Sequence, residues 1–440
     1  MPTEWINAAE AARRLGVKQA SLYSYVSRGV LSRRKAHGSR ASLYSASEVE
    51  GLARRGRPRR APGPAELVIE TELTEITGDH LRYRGIDAIA LARRCELEQV
   101  ASLLWTGTLG GPGEGSLDDR RTPLWEATAP AVAAGSAAQA ALPAGTLPLE
   151  RLQVIVPALA AADPLRLHLD PPAVVAAGRC LIAGMVDCLP TAEGGPVLGN
   201  GHAPAAAGAL RRDDRGSGNG RVRGAQSGTV AERLVPRLCP AEPGAGLIDA
   251  VRAALVLLAD HELAASTLAA RVAASMRADP YAVVATGLGA VGGTLHGGAS
   301  FGAEVMLRSA SGPADAARAV GDLLRRGERI PGFGHFVYRR RDPRAVLLLD
   351  LLRAADPGSE RLAVADAVIA EARGRSLPEP NIDFALAALA VMAGMIPGAG
   401  EAIFAVARAA GWVAHALEEY ARGTPIRPRG IYTGPIVPPG

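Results

Sequence analysis

Apolar residues recur at helical rather than alternating spacing over most of this chain, which predicts a mainly α-helical protein. Near the start, Asn7 and Glu10 form a helix-capping pair and Ala8–Leu15 reads as a short amphipathic helix ending at Gly16. Val17 makes a turn. Residues 18–28 follow as a second helix, with Leu22, Tyr25 and Val26 on its inner face and Gly29 stopping it. The proline- and glycine-rich stretch 56–64 then reads as a linker, and it marks the first boundary. Beyond it, segments 131–142, 172–188 and 247–276 are rich in Ala and Leu with few β-branched runs, so each predicts helix. Uncharged stretches 127–149, 280–303 and 384–400 are broken by Gly and Pro, so they read as buried helices and turns rather than bilayer spans. Between residues 191 and 231 the composition turns to Gly, Arg, Asp and Ser, and 195–230 reads as a disordered surface insertion.

With 440 residues and 48% hydrophobic composition, the chain can bury more than one core. Four cysteines (Cys95, Cys180, Cys188, Cys239) lie far apart with no CxxC pair, which points away from zinc sites and disulfide frameworks. The opening residues lack a basic segment followed by an apolar one, so a cytoplasmic location with no membrane partner is expected. The net charge of +5 is unevenly placed: residues 1–60 hold thirteen Lys or Arg against four Glu, so the body carries −4. Such a concentration suits a polyanion.

Candidate chemistry lies in three segments of the last third: Leu295-His296-Gly297-Gly298-Ala299, Gly332-Phe333-Gly334-His335 running on to Asp342-Pro343-Arg344, and Pro380-Asn381-Ile382-Asp383-Phe384. Two histidines and a carboxylate suit proton removal from a weakly acidic carbon, with two further groups to serve an enolate and a carbonyl. Asp383 opens an apolar helix, where desolvation raises basicity; as a lone residue it reads equally as a helix cap. His296 and His335 sit in glycine-rich turns that admit close approach. Gly287-Leu-Gly-Ala-Val-Gly292 fits GxGxxG, but no preceding strand or following acidic residue supports a dinucleotide site, and its glycines read as helix packing.

These residues and spacings resemble the citrate synthase family from about Glu66 to the C-terminus, with Leu81-Arg-Tyr-Arg-Gly-Ile-Asp87 and residues 98–107 resembling its entry segment. The resemblance implies a large domain (66–297 and 395–440) and a small one (298–394). It implies condensation of acetyl-CoA with oxaloacetate to citrate, with Asp383 as base and His296 and His335 as acids or hydrogen-bond donors. His261, in Ala259-Asp260-His261-Glu262, matches an oxaloacetate-binding histidine. Arg344, Arg408 and Arg427 match three carboxylate-binding arginines, the last reaching across from a neighbouring subunit, so a homodimer is implied. Arg339 matches a coenzyme A phosphate contact, with Arg340 and Arg341 beside it. No metal or bound redox cofactor is implied; the coenzyme A thioester is a substrate. Ser300, Phe336 and residues 385–389 depart from the common pattern, which leaves open a 2-methylcitrate synthase using propionyl-CoA. A metabolite-sensing regulator that binds without turnover is a reading of another class.

The first 55 residues resemble the winged helix-turn-helix of the MerR and excisionase type, with 31–44 as the wing and 45–55 as a supporting helix. The resemblance implies DNA contacts through Lys18, Gln19, Ser21, Arg28, Arg33, Arg34 and Lys35 across residues 1–60. An interaction module that kept the fold without the readout is the alternative.

Overall fold

A computed structural model describes residues 5–15, 17, 19–27, 30–35, 42–54, 68–110, 125–192, 228–242, 244–293 and 298–428. The chain divides into two compact units, Met1–Glu70 and Thr71–Gly440. The expected linker, the insertion as far as residue 227, and Lys18, Arg28 and His296 lie outside the described residues.

The smaller unit runs β1 (Trp5–Asn7), α1 (Ala8–Leu15), α2 (Gln19–Ser27), β2 (Arg33–Lys35), β3 (Ser42–Ser45) and α3 (Ala46–Arg54). The expected cap is present: Asn7 Oδ1 accepts from the Glu10 amide at 2.9 Å. Its sheet is antiparallel in the order β1-β3-β2, pairing Ile6 with Tyr44 and Arg34 with Leu43. The strand β1 was not legible in the sequence, because three residues are too few for alternation to register. Ile6, Ala11, Leu22, Leu31, Tyr44 and Val49 close a small core. Glu48 ties α3 to the start of β2 by accepting from the Ser32 amide and hydroxyl at 2.6 and 2.9 Å.

The larger unit opens with an antiparallel meander of β4 (Thr74–Thr77), β5 (His80–Tyr83) and β6 (Ile86–Asp87). Its helices are α4 (Ala88–Ala92), α5 (Leu97–Thr106), α6 (Ala129–Ala140), α7 (Pro148–Ala161), α8 (Pro171–Asp187), α9 (Val230–Leu238), α10 (Ala245–Leu258), α11 (Ala265–Ser275) and α12 (Pro280–Val291). There follow α13 (Gly298–Ser309), α14 (Ala316–Arg325), α15 (Pro343–Ala355), α16 (Glu360–Gly374), α17 (Ile382–Met392) and α18 (Ala399–Arg422). A mainly helical unit is what the alanine- and leucine-rich runs predicted. The 24-residue α18 is buried from Ala399 to Ala416 and packs on α5, α7, α8, α10, α11, α12 and α17, so it is the axis of the core. No helix among the described residues is long and apolar enough to cross a membrane.

Two expectations need correction. The run 247–276 is not one helix: α10 stops at Leu258 and α11 starts at Ala265, leaving a turn that carries Asp260 and His261. Tertiary contacts gather here: Tyr83 Oη lies 3.0 to 3.1 Å from the carbonyls of Val256, Leu257 and Asp260, with one proton to share among them, and Arg408 Nε donates to the carbonyl of Leu258. These contacts fasten the end of α10 beside the turn. The predicted insertion also runs too far: Thr229 caps α9 and Val230 is fully buried in its first turn. The GxGxxG residues lie inside and at the end of α12, not at a strand-to-helix turn.

Gly287 in α12 faces the indole of Trp412, and a Cβ there would lie 2.6 Å from two ring atoms. Overpacking costs about 1–3 kcal/mol, and a rigid, fully buried ring sits toward the upper end. Alanine's better helix propensity offsets no more than ~1 kcal/mol. Gly287→Ala should therefore lower the chemical-denaturation midpoint with the m-value unchanged; an unchanged midpoint would mean that Trp412 moves aside freely.

Candidate functional site

Three short segments converge through backbone pairing. Gly332 and Gly334 have φ of +76° and +79°, a left-handed region that suits glycine. At Gly332 there is no room for more, since a Cβ would meet the Phe384 amide at 2.7 Å. This double turn bonds to the approach to α17: the Gly334 amide donates to Glu379 O and the Asn381 amide to Gly332 O, both at 2.8 Å. Asn381 finishes the joint. Its Oδ1 accepts from the amides of Asp383 and Phe384, capping α17, and its Nδ2 donates to Gly334 O. The loop of His335 and the helix of Asp383 are thereby fixed to each other.

Asp342 fixes the arginine. Its carboxylate takes Arg344 Nε at 2.9 Å and Nη2 at 2.8 Å, with the Arg344 and Ile382 amides at 3.0 Å each. Burial alone would raise this carboxyl, but Arg344 overrides it and holds Asp342 below the usual carboxylate range. Arg344 Nη2 then lies 3.3 Å from His335 Nε2. His335 Nδ1 accepts from the Val337 and Tyr338 amides at 2.9 and 3.3 Å, so its proton belongs on Nε2. Burial, then Arg344, lowers His335 to about 4, so the ring is neutral at pH 7. An N–H of each group therefore faces the other, and what complements two adjacent donors is an acceptor oxygen between or beside them.

His261 lies across from it, their rings 5.3 Å apart and edge-on. Its Nε2 is 3.1 Å from Tyr338 Oη, and burial, then Arg344 and Arg408, pushes it well below its ordinary value. Arg408 on α18 is 1% exposed; its Nε donates to Leu258 O, its guanidinium lies over the Phe404 ring at 4.6 Å, and its two terminal nitrogens have no hydrogen-bond or ion-pair partner among the described residues. A buried guanidinium without a carboxylate partner calls for an anionic ligand. Asp383 is half-buried, and desolvation raises its carboxyl to about 6 despite Arg344 and Arg408, leaving a base that is ionised yet strong at neutral pH.

Beside this cluster lies a cavity of about 380 Å³ lined by His335, Tyr338, Arg339, Arg340, Arg341 and Glu379, among others. Arg340 pairs with Asp79 at 3.1 Å and Arg341 with Glu379 at 3.7 Å, while Arg339 is exposed at the cavity wall. Phe336 is fully exposed next to His335. Arg427 is exposed on the segment after α18, which Ile426 anchors by donating its amide to Ser275 Oγ. Within this chain no described contact links Arg427 to the other site residues. His296 lies outside the described residues, two positions before α13 begins.

Sequence reasoning assigned no role to Tyr338, Asn381 or Asp342. Asp342 had a signal, an acid two positions before an arginine across a proline, which brings the pair onto one helix start. In the smaller unit Gln19 is exposed and Ser21 half-buried on α2, while Arg33, Arg34 and Lys35 are exposed on β2 and Arg34 stacks over Trp5 at 4.4 Å.

Breaking a buried pair by removing one partner costs about 3–5 kcal/mol. Asp342→Asn should destabilise the protein on that scale at neutral pH. Because the folded carboxyl is depressed, the contribution is present above the unfolded value of about 3.9 and lost as pH falls through the folded one. Denaturation curves for both proteins should therefore converge at acid pH; a gap of constant size would assign the loss to packing.

The citrate synthase C-terminal domain model matches residues 65–429. A citrate synthase from Haloferax volcanii is 33% identical over 388 residues, covering 84% of this chain and 94% of that protein. A 2-methylcitrate synthase from Mycobacterium tuberculosis is 29% identical over 385 residues, covering 86% and 91%. Among solved structures, citrate synthase from Thermotoga maritima superposes with a TM-score of 0.65 at 23% identity, covering 85% of this chain and 95% of that one. The Thermoplasma acidophilum enzyme, in a ternary complex with carboxymethyl coenzyme A and oxaloacetate, superposes at 0.64 with 24% identity, covering 86% and 96%.

Proposed function

Because the chain belongs to the citrate synthase family of acyltransferases, we propose that it condenses acetyl-CoA with oxaloacetate to give citrate and coenzyme A. The observation that carries this reading is the buried pair Arg344 and Arg408, the latter without a carboxylate partner, facing two neutral imidazoles beside a carboxyl raised to about 6.

In this reading Asp383 removes a proton from the thioester methyl, and His296 donates to the thioester oxygen as the enolate forms. The enolate carbon attacks the keto carbon. His335 Nε2–H and Arg344 serve the keto oxygen and its neighbouring carboxylate, while Arg408 takes a second carboxylate and His261 holds the acid in place. Water then hydrolyses the citryl thioester, releasing coenzyme A thiol and citrate. Arg427 completes the anion site from the neighbouring subunit of a homodimer. The cavity walled by Arg339, Arg340 and Arg341 suits the phosphates of coenzyme A. No metal or redox cofactor enters these steps.

The similarity to a 2-methylcitrate synthase supports a second reading, with propionyl-CoA as the acyl donor. One methylene changes discrimination by only about 1–3 kcal/mol, so the two activities differ in degree. Oxaloacetate-dependent thiol release separates both from a sensor that binds without turnover. Release is expected with acetyl-CoA, and it should fall as pH drops below about 6, because the base works only when ionised. Asp383→Asn should reduce it by roughly 10²–10⁴-fold in a folded protein. Near-normal turnover in that variant would remove Asp383 from the mechanism, and no release with either thioester would leave the sensor.

For the smaller unit we propose DNA binding, supported by the +9 charge of residues 1–60 and the exposed Gln19, Arg33 and Lys35. Charge alone gives affinity that falls steeply with salt, so selectivity at roughly 0.15 M salt is the informative quantity. The full-length protein should shift its own upstream DNA in preference to random duplex, and deleting residues 1–60 should abolish the shift while sparing thiol release. Equal affinity for both duplexes would reduce the unit to an interaction module.

A further inference from the structure

The turn that carries His261 is held by a buried cluster that has no role in the steps above. Three positions on one face of α18 meet that turn in succession. Arg408 Nε donates to Leu258 O at 2.8 Å. At Gly411 the helix touches the turn itself, since a Cβ there would overlap Ala259 O and lie 2.5 Å from Asp260 Oδ1. His415 follows one turn later, with its Nε2 3.2 Å from that same Asp260 oxygen. The other oxygen of Asp260 accepts from Thr74 Oγ1 on β4.

Arg271 on α11 fixes which form of the imidazole is present. It is fully buried, and the two hydrogens of its Nη1 reach Glu418 Oε2 and His415 Nδ1, both at 2.6 Å. A guanidinium only donates, so Nδ1 accepts, the ring proton lies on Nε2, and Nε2–H donates to Asp260. Glu419 accepts from Arg271 Nε at 2.6 Å, and Glu418 accepts from Thr71 Oγ1 and the Glu72 amide. The arginine and the imidazole are therefore both anchored.

Such support answers a need of the turn. Asp260 is fully buried, and a carboxylate there without donors would lose its hydration with nothing in return. Glu262, the residue after His261, has φ of +54°, a conformation that persists only where the surroundings impose it. His261 is joined to Asp260 by one peptide bond, and its ring must keep its place 5.3 Å from that of His335 and its Nε2 3.1 Å from Tyr338 Oη.

We propose that His415 and Asp260 are positioning residues for keto-acid binding: His415, in the tautomer that Arg271 sets, holds Asp260 against α18 and so fixes the imidazole of His261 across from His335. The consequence for binding rests on the condensation reading, whereas the placing of His261 does not. Binding of the thioester is separable, because no member of this cluster lines the cavity walled by Arg339, Arg340 and Arg341.

Three variants test this. His415→Gln keeps one donor and one acceptor on a planar group, His415→Leu keeps neither, and Thr74→Val removes only the donor to the second Asp260 oxygen while preserving shape. In nitrogen-15 spectra of histidine-labelled protein without substrate, His415 should show the Nε2–H tautomer. The His261 ring signals should move in His415→Leu and Thr74→Val and stay near their wild-type positions in His415→Gln. In thiol-release assays the oxaloacetate KM should rise about tenfold or more in the Leu and Val variants, the scale of one misplaced hydrogen bond to a charged group, with the acetyl-CoA KM within about twofold of wild type. Should His415→Leu fail to fold, Thr74→Val carries the same comparison. His261 signals that stay in place in a destabilised variant, an equal rise in both KM values, or an Nδ1–H tautomer at His415 would overturn the proposal and leave the cluster a packing element. Absence of turnover in wild type would sink the condensation reading alone, since the spectra need no substrate.

Discussion

The buried Asp342 carboxylate is the point on which the site depends. It accepts from both the side chain and the amide of Arg344 and from the amide of Ile382, so one group joins the start of α15 to the start of α17. Through α17 it sets Asp383, and through Arg344 it sets the donor beside His335. Four acceptor contacts offset the desolvation that a lone buried carboxylate would suffer. Glycine turns and the Asn381 cap then lock the His335 loop to the same joint. The chemistry thus rests on rigid helix starts rather than on loops free to drift.

How much of this was legible follows from the range of each determinant. Asp383, His335, His261, Arg344 and Arg408 fall in one cluster; the first two stand in motifs marked by glycine and proline, Gly-Phe-Gly before His335 and Pro-Asn-Ile before Asp383, and the other three were named from family resemblance. The cap at Asn7 was equally local. The break after Leu258 was not, because the groups that fasten it, Tyr83 and Arg408, come from 175 and 150 positions away. Periodicity marks helix and core; it carries no information on which distant groups meet.

Tyr83 shows the same long-range logic as a support for function. Its hydroxyl and Arg408 Nε contact the carbonyls at the end of α10, beside the turn that presents His261. Next to it Asp260 is fully buried and bonded to Thr74 Oγ1 and His415 Nε2, which connect to Arg271, Glu418 and Glu419. Burial disfavours the Asp260 carboxylate, but His415 and Arg408 hold it ionised, below its ordinary value. A turn with Glu262 at φ +54° is strained, and it persists because this surrounding network over-determines it.

The charges around Asp383 bear on the order of events. Arg344 is paired with Asp342, whereas Arg408 has no carboxylate bonded to it among the described residues, and both arginines act on Asp383. Burial raises Asp383, while the two arginines pull it back down. A dicarboxylic keto acid bound between the arginines cancels the field that weakens the base, so on the proposed reading Asp383 becomes more basic once the electrophile is seated. Linkage works in the other direction as well: a proton on Asp383 and the keto acid on the arginines favour each other's binding. On that reading, a base made stronger by the electrophile that the enolate will attack removes the methyl proton least readily when no acceptor for the carbanion is present, which guards the thioester against idle exchange.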